Sequence, residues 1–135
     1  MEVREAKLKE IEERQITAEK GENTPIMMCP EGATTNGNFL IKFKRGAFYS
    51  LRPVKPYFSK YWSLTNAKPV HGDSIGLFAY FNLLPLPGFT MVTYHEMPDF
   101  KPNEYFWKHH WDGKEEKWLA YARAVRTLMA EAGGF

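Results

Sequence analysis

The chain has 135 residues, which is enough for one domain and too few for two domains of ordinary size. A net charge of +2 gives no support to a nucleic-acid partner, and a single cysteine excludes an internal disulfide framework. Aromatic residues make up 16% of the chain, a surplus that indicates buried interfaces or a membrane–water boundary. We expect neither a targeting peptide nor a transmembrane helix, because no stretch has the composition of one.

The chain begins with a predicted charged helix over residues 2–20. This stretch contains no Gly or Pro and is rich in Glu, Lys, Arg and Ala. It carries few large apolar residues, so its buried stripe should be thin. The apolar run at residues 26–29 then predicts a buried strand of the parallel type, covered on both faces. Within that run we interpret Cys29 as a buried small residue rather than a nucleophile.

A polar loop is predicted to follow this strand, beginning with Pro-Glu-Gly at residues 30–32. A loop of hydroxyl, amide and glycine residues, backed by cations at the end of a buried strand, commonly holds an anionic or polyhydroxylated ligand. An ordinary strand–turn–helix junction with basic residues facing solvent is an equal alternative from the residues alone. The candidate ligand-binding residues are Glu31, Gly32, Thr34, Thr35, Asn36, Lys42, Lys44, Arg45 and Gly46.

Regular elements continue downstream of the loop. Residues 39–48 predict a short helix, residues 54–59 a second strand, and the alternating residues 89–95 a third strand. Residues 97–114 predict a loop, and residues 115–132 predict an amphipathic helix with an apolar stripe at spacings of three and four. The stripe residues are Trp118, Ala122, Val125, Met129 and Ala132, with Arg123 and Arg126 facing away from them.

The most apolar stretch lies at residues 75–84, from Ile75 to Leu84. A helix of that length reaches about 15 Å, roughly half of the hydrocarbon thickness of a bilayer, so it cannot span a membrane. It is apolar on most faces. We expect it to be buried by a partner or to make a peripheral membrane contact, ahead of an ordinary position in the core.

Together these elements predict a single truncated α/β domain over residues 1–135. Its sheet is incomplete and mixed, with about three strands. The charged N-terminal helix, the apolar middle helix and the amphipathic C-terminal helix flank that sheet. Buried strands of the parallel type normally have neighbours on both sides, so a partial sheet leaves an open edge. We therefore expect other protein subunits to cover the open sheet.

Three runs of this sequence resemble a known family. They are Pro-Glu-Gly at residues 30–32, Phe-Lys-Arg-Gly-Ala-Phe at residues 43–48 and Pro-Val-Lys-Pro at residues 53–56. These runs are similar to blocks of the glycerolipid acyltransferase superfamily, in particular its lysophosphatidylcholine and lysophosphatidylethanolamine branch. The similarity continues to the last helix and corresponds to the C-terminal half of the family's catalytic domain. It implies acyl-CoA-dependent transfer to a lysophospholipid, whose phosphate the loop and its cations would bind.

The motif that carries this family's chemistry is absent from the sequence. The family has His-x-x-x-x-Asp upstream of the Pro-Glu-Gly loop, whereas no residue before Pro30 is His. None of the four histidines has Asp at the fifth position after it; they are His71, His95, His109 and His110. Acyl transfer to a hydroxyl needs a base and a carboxylate that orients the base. We therefore expect no catalytic residue in this chain. Ala33 also stands where the family has a loop threonine.

Three hypotheses about function remain open. The first is a non-catalytic, pseudoenzyme-like accessory subunit of a multi-protein membrane complex, which retains phospholipid-headgroup binding or merely packs. The second is one half of a split lysophospholipid acyltransferase, with acyl-CoA as donor and the catalytic His and Asp on another chain. The third is a small soluble module that binds a lipid or coenzyme A without a partner.

The sequence also bounds the environment of the chain. The resemblance implies association with an intracellular membrane such as the endoplasmic reticulum, and a complex of the mitochondrial inner membrane is an equal alternative. We expect a phospholipid ligand and no cofactor. We interpret His109 and His110 as a surface pair rather than metal ligands, because adjacent side chains point apart and no third ligand stands nearby.

Overall fold

The longest helices in the described part of the chain lie at its two ends. In the computed structural model, which describes residues 2–33, 39–63 and 89–135, these helices span Glu2–Glu19 and Lys117–Gly133. Between them lie a 3-10 helix, two strands and a short helix, at Arg45–Ala47, Tyr57–Ser63 (β1), Thr90–Glu96 (β2) and Glu104–His110. The fold is therefore α/β, as the sequence predicts. The predicted apolar helix at residues 75–84 lies outside the described residues.

The two strands form an antiparallel ribbon. Tyr57 lies opposite Glu96 at one end, and Ser63 lies opposite Thr90 at the other. Strand β2 confirms the prediction at residues 89–95 within one residue. The described sheet is thus incomplete, as expected, but it has two strands rather than about three and is wholly antiparallel.

The strand predicted at residues 26–29 is absent. This run has no regular structure, and no described segment pairs with it. Met27 is 76% exposed and Cys29 is exposed, so the interpretation of Cys29 as buried was wrong. An apolar run becomes a buried strand only where neighbouring backbone supplies hydrogen bonds and neighbouring elements cover its faces. No described strand pairs with this run, and the described residues cover Ile26 and Met28 only in part.

The second predicted strand begins later than expected. Val54 forms only an isolated antiparallel bridge with Phe100, in which each residue donates to the other at 3.0 and 2.8 Å. Pro53 and Pro56 have no N–H group to extend a ladder on either side. Continuous pairing therefore begins at Tyr57, where the prolines end.

The predicted loop at residues 97–114 contains a helix, Glu104–His110. The Asn103 side chain caps this helix, because its Oδ1 accepts a hydrogen bond from Phe106 N–H at 2.8 Å. Phe106 is buried and contacts Phe100 edge to face, with 5.6 Å between the ring centroids. Asn103 is a helix N-cap that the sequence could have indicated. The two prolines and the aromatic composition of residues 97–114 favoured a loop instead.

The hydrophobic core is built on one face of the C-terminal helix. Its buried members are Phe43, Phe48, Phe58, Tyr121, Ala122, Val125 and Met129. Three of the five predicted stripe residues belong to this set, so the amphipathic prediction is confirmed over the middle of the helix. At the end, Ala132 is exposed and Gly133 is buried instead. Gly134 ends the helix in the left-handed region, with φ of 66°.

The core also holds a polar group. Tyr121 is fully buried, and its hydroxyl lies 2.9 Å from the carbonyl oxygen of Arg52 and 2.8 Å from that of Phe100. Burial raises the pKa of this phenol, because the phenolate would lose its hydration. Tyr121 thereby links the C-terminal helix to the two segments joined by the Val54–Phe100 bridge.

The N-terminal helix confirms the charged-helix prediction within one residue and attaches mainly through polar contacts. None of its described side chains is fully buried. Ser50 donates to Gln15 Oε1, and Arg52 forms an ion pair with Glu19 at 2.7 Å. Since exposed ion pairs contribute little, this helix is held more weakly than the C-terminal one.

Candidate functional site

An open groove of about 890 Å³ lies between the ribbon, the C-terminal helix and the segment that opens with Pro-Glu-Gly. Core residues form part of its surface, among them Phe43, Val125 and Met129. Tyr57, Tyr61, Tyr94, Met28, Cys29, Phe39 and Phe135 also line it. Charged side chains are few in this lining: Glu31, Lys55 and Lys60. A concave, mostly apolar surface with a few charges suits an amphipathic ligand.

The loop at the groove is closed by Glu31. Its Oε1 accepts a hydrogen bond from Ile41 N–H at 2.9 Å, which joins the two sides of the loop. Lys44 N–H donates to the Pro30 carbonyl at 2.7 Å and adds a second connection. Glu31 therefore has a structural role among the described residues, because its carboxylate replaces the backbone acceptor that Ile41 would otherwise need.

Lys44 lies over this loop. Its Nζ donates to the Gly32 carbonyl at 3.5 Å, and Gly32 has φ of 62° in the left-handed region. A Cβ at position 32 would lie 2.8 Å from Lys44 Nζ. The left-handed backbone conformation favours glycine here, and a Cβ would also require the flexible Lys44 side chain to shift. The structure places Glu31, Gly32 and Lys44 together at the base of the loop.

The other predicted cations point elsewhere. Lys42 is exposed and its neighbour Phe43 is buried. The predicted helix at residues 39–48 is reduced to the 3-10 helix Arg45–Ala47, and Lys44 before it is extended. Arg45 lies over the Tyr49 ring at 4.6 Å and pairs with Glu116 at 3.6 Å. Neither cation lines the groove. The cations therefore do not form one cluster with Lys44.

Gly46 lies beside Met28 in the described structure. The nearest atom to a Cβ built at Gly46 is Met28 Cε at 3.8 Å, an ordinary van der Waals distance. The remaining candidates, Thr34, Thr35 and Asn36, lie outside the described residues. The described part of the site therefore comprises the loop base and the groove beside it.

Arg126 is a site residue that the sequence analysis misplaced. We expected it to face away from the packed side of the helix, but its Nε donates to the carbonyls of Leu40 and Ile41, at 2.9 and 3.1 Å. Its Nη2 also donates to Leu40. Arg126 thus fixes the segment that follows the loop onto the C-terminal helix. In the sequence, the one indication that Arg126 packs against the protein is that it directly follows Val125, a residue of the apolar stripe.

Lys55 and Glu96 form a charged pair at the base of the ribbon, 3.0 Å apart. Lys55 donates a hydrogen bond to the Glu96 carboxylate. This bond and the negative charge of Glu96 raise the pKa of Lys55, so the lysine stays protonated beside the groove. In residues 2–33, 39–63 and 89–135, no three His, Cys, Asp or Glu side chains are placed to hold a metal ion. No helix within those ranges is long and apolar enough to cross a bilayer.

Comparison with known proteins identifies relatives over most of the chain. It is 46% identical to the lysophospholipid acyltransferase LPEAT1 of Arabidopsis thaliana over 124 residues, which cover 91% of this chain and 29% of that protein. It is 31% identical to lysophosphatidylcholine acyltransferase 1 of Danio rerio over 96% of this chain and 24% of that protein. Human lysophosphatidylcholine acyltransferase 2 is 32% identical over 87% of this chain and 20% of its own length.

The resemblance to lysophospholipid acyltransferases is confirmed. The chain spans less than a third of the length of these curated relatives, so it corresponds to part of such a protein. No protein-family model matches the chain. No solved structure matches it either.

Proposed function

We propose that this chain is the lipid-binding part of an acyltransferase-like fold and acts as a non-catalytic accessory subunit of a membrane complex. The groove is the observation that supports this proposal. It offers apolar volume for an acyl chain and a few charged side chains for a headgroup. No histidine lies among its described lining residues.

The size of the groove supports a phospholipid. About 890 Å³ lies within the range of small-molecule sites, and the lining is suited to bury hydrocarbon. Glu31 and Lys55, both in the lining, would face the ammonium and phosphate of a zwitterionic headgroup respectively. Lys44, which lies over the base of the loop, is proposed to belong to this headgroup site, together with Thr34, Thr35 and Asn36.

The test is native mass spectrometry of the particle that contains this chain, after extraction in mild detergent. Phe39 is half exposed and lines the groove, so Phe39→Asp places a charge against the lipid without opening the core. We expect retained phospholipid to fall about tenfold. Val3→Asp, on an exposed side chain of the N-terminal helix, is the matched control. Equal lipid in the two variants would contradict a groove site.

The second candidate function is one half of a split lysophospholipid acyltransferase. The 46% identity to a plant acyltransferase favours it, since the similarity covers 91% of this chain. In that case another polypeptide supplies the His-x-x-x-x-Asp motif, and acyl-CoA is the donor. Mixing this chain with a co-purified partner that carries the motif should produce acyl transfer that neither part shows alone. Many partners without the motif would support the accessory role instead.

The proposed setting is the surface of an intracellular membrane. The endoplasmic reticulum follows from the resemblance, and a mitochondrial inner-membrane complex fits the chain equally well. Other subunits are proposed to cover the open sheet, and residues 75–84 to make a peripheral membrane contact. Fractionation of a tagged chain, read against markers of both membranes, separates the two settings.

A further inference from the structure

The end of the ribbon carries large apolar side chains on both of its faces. Tyr61 pairs with Val92, Trp62 pairs with Met91, and Phe89 directly precedes β2. We call these five residues the ribbon tip. Their exposed fractions lie between 37% for Val92 and 62% for Phe89.

The strand register places the tip residues on opposite faces. Successive side chains alternate, so Tyr61 and Val92 share one face, and Trp62 and Met91 share the other. The ribbon attaches to the body at its other end, where Phe58 belongs to the hydrophobic core and meets Phe135 edge to face at 5.6 Å. The five tip residues thus expose apolar groups on both faces of the ribbon, at the end opposite to Phe58.

The charges of the ribbon favour an anionic surface. Neither residues 57–63 nor residues 89–95 include Asp or Glu, whereas Lys60 lies one residue before the tip. The first carboxylate is Glu96, at the opposite end, where Lys55 neutralises it at 3.0 Å. Trp, Tyr and Phe beside a lysine are the residues that favour the headgroup region of a bilayer.

We propose that the ribbon tip docks onto an anionic phospholipid bilayer by inserting its aromatic side chains among the headgroups. A protein surface would cover one face of a ribbon, whereas a bilayer surrounds an inserted tip on both faces. Cover of this kind also suits a two-stranded ribbon, which is marginally stable in water alone. Since Tyr61 belongs to both the tip and the groove lining, docking brings the groove next to the membrane.

Trp62 and Phe89 do not line the groove, so vesicle binding by their variants reports on the ribbon tip and not on what the groove binds. The full chain is sedimented with vesicles of phosphatidylcholine and phosphatidylglycerol, and with vesicles of phosphatidylcholine only. We expect stronger partition into the anionic vesicles, and a loss of about tenfold in Trp62→Ser/Phe89→Ser. Lys60→Gln should reduce the preference for anionic vesicles. Tyr105→Ser, at a side chain that is 68% exposed on the short helix, is the matched control.

Depth-dependent quenching by lipids with spin-labelled acyl chains gives a second readout. The unmodified chain should show tryptophan quenching that disappears in Trp62→Phe, which keeps an apolar ring at that position. Unchanged quenching in Trp62→Phe would overturn the proposal, as would equal vesicle binding by the double variant and the control. Absence of vesicle binding by the unmodified chain would overturn it as well. Sedimentation of a self-associated species without vesicles would assign the tip to a protein interface instead.

Discussion

Arg126 Nε donates a hydrogen bond to the carbonyl oxygen of Leu40 across 86 residues of sequence, at 2.9 Å. The same nitrogen reaches the Ile41 carbonyl at 3.1 Å, while Ile41 N–H is held by Glu31. Hydrogen bonds thus link the C-terminal helix to the segment after the loop, and link that segment to the Glu31 carboxylate. The geometry of the Pro-Glu-Gly loop therefore depends on a helix that is remote in the chain.

Replacing Arg126 by Met should destabilise the protein by about 1–3 kcal/mol, because two partly buried carbonyls lose a charged donor. Methionine keeps a similar apolar stem, so the change isolates the hydrogen bonds. Urea unfolding followed by circular dichroism measures the difference. Thr127→Ala, at the next and exposed position, is the control and should change stability by less than about 0.5 kcal/mol. Equal stabilities of the two variants would show that Arg126 does not hold the loop.

Tyr121→Phe should alter the response of stability to alkaline pH. Burial raises the pKa of Tyr121 in the folded state above the value of about 10 in the unfolded chain. The phenol of the unfolded chain therefore ionises first as the pH rises. The contribution of Tyr121 to the free energy of unfolding is complete below about pH 10 and decreases as the pH rises above that value. The variant lacks this group, so its free energy of unfolding should fall less steeply above about pH 10.

Unfolding by urea between pH 8 and 11 measures this effect. At pH 8 the variant should be less stable by about 1 kcal/mol, since the carbonyls of Arg52 and Phe100 lose a donor. Tyr105→Phe, at an exposed tyrosine, is the matched control. Identical alkaline slopes for all three proteins would mean that Tyr121 ionises freely in the folded state.

Glu31→Ala should open the loop, because Ile41 N–H loses its acceptor. We expect a loss of about 1–3 kcal/mol, as for other hydrogen bonds to charged groups. Glu31→Gln keeps an oxygen at that position and should lose less. Stability and retained phospholipid are measured together. A ligand role independent of loop closure would lower lipid retention in both variants while leaving their stability unchanged.

Gly32→Ala should cost about 1–2 kcal/mol, because alanine is strained in the left-handed region and its Cβ would approach Lys44 Nζ. Gly113→Ala separates the two causes, since φ there is 78° and a Cβ would meet nothing within 4 Å. Adding Lys44→Ala to Gly32→Ala should remove the part due to the lysine. Thermal unfolding compares the variants. If Gly32→Ala is no worse than Gly46→Ala, where a Cβ has room, the loop conformation differs from the one described.

The sequence by itself determined the elements whose signals are local. The lack of Gly and Pro predicts the N-terminal helix, period-two alternation predicts β2, and three-four spacing predicts the C-terminal helix, all close to their observed bounds. The family resemblance was also readable, because it rests on short runs of residue types. The helix at Glu104–His110 had a local signal in Asn103, but its aromatic composition was interpreted as a loop.

Only the tertiary structure decided how these elements meet. Whether residues 26–29 are a buried strand depends on a neighbouring strand and on elements that cover both faces. No described strand pairs with this run, and its cover is partial. Whether Arg126 faces solvent or the loop depends on where Leu40 passes the helix. The three predicted cations, Lys42, Lys44 and Arg45, are close in sequence yet have different surroundings. The backbone is extended at Lys44 and enters a 3-10 helix at Arg45. Local patterns fix backbone conformation, whereas contacts between distant residues fix which side chains form a site.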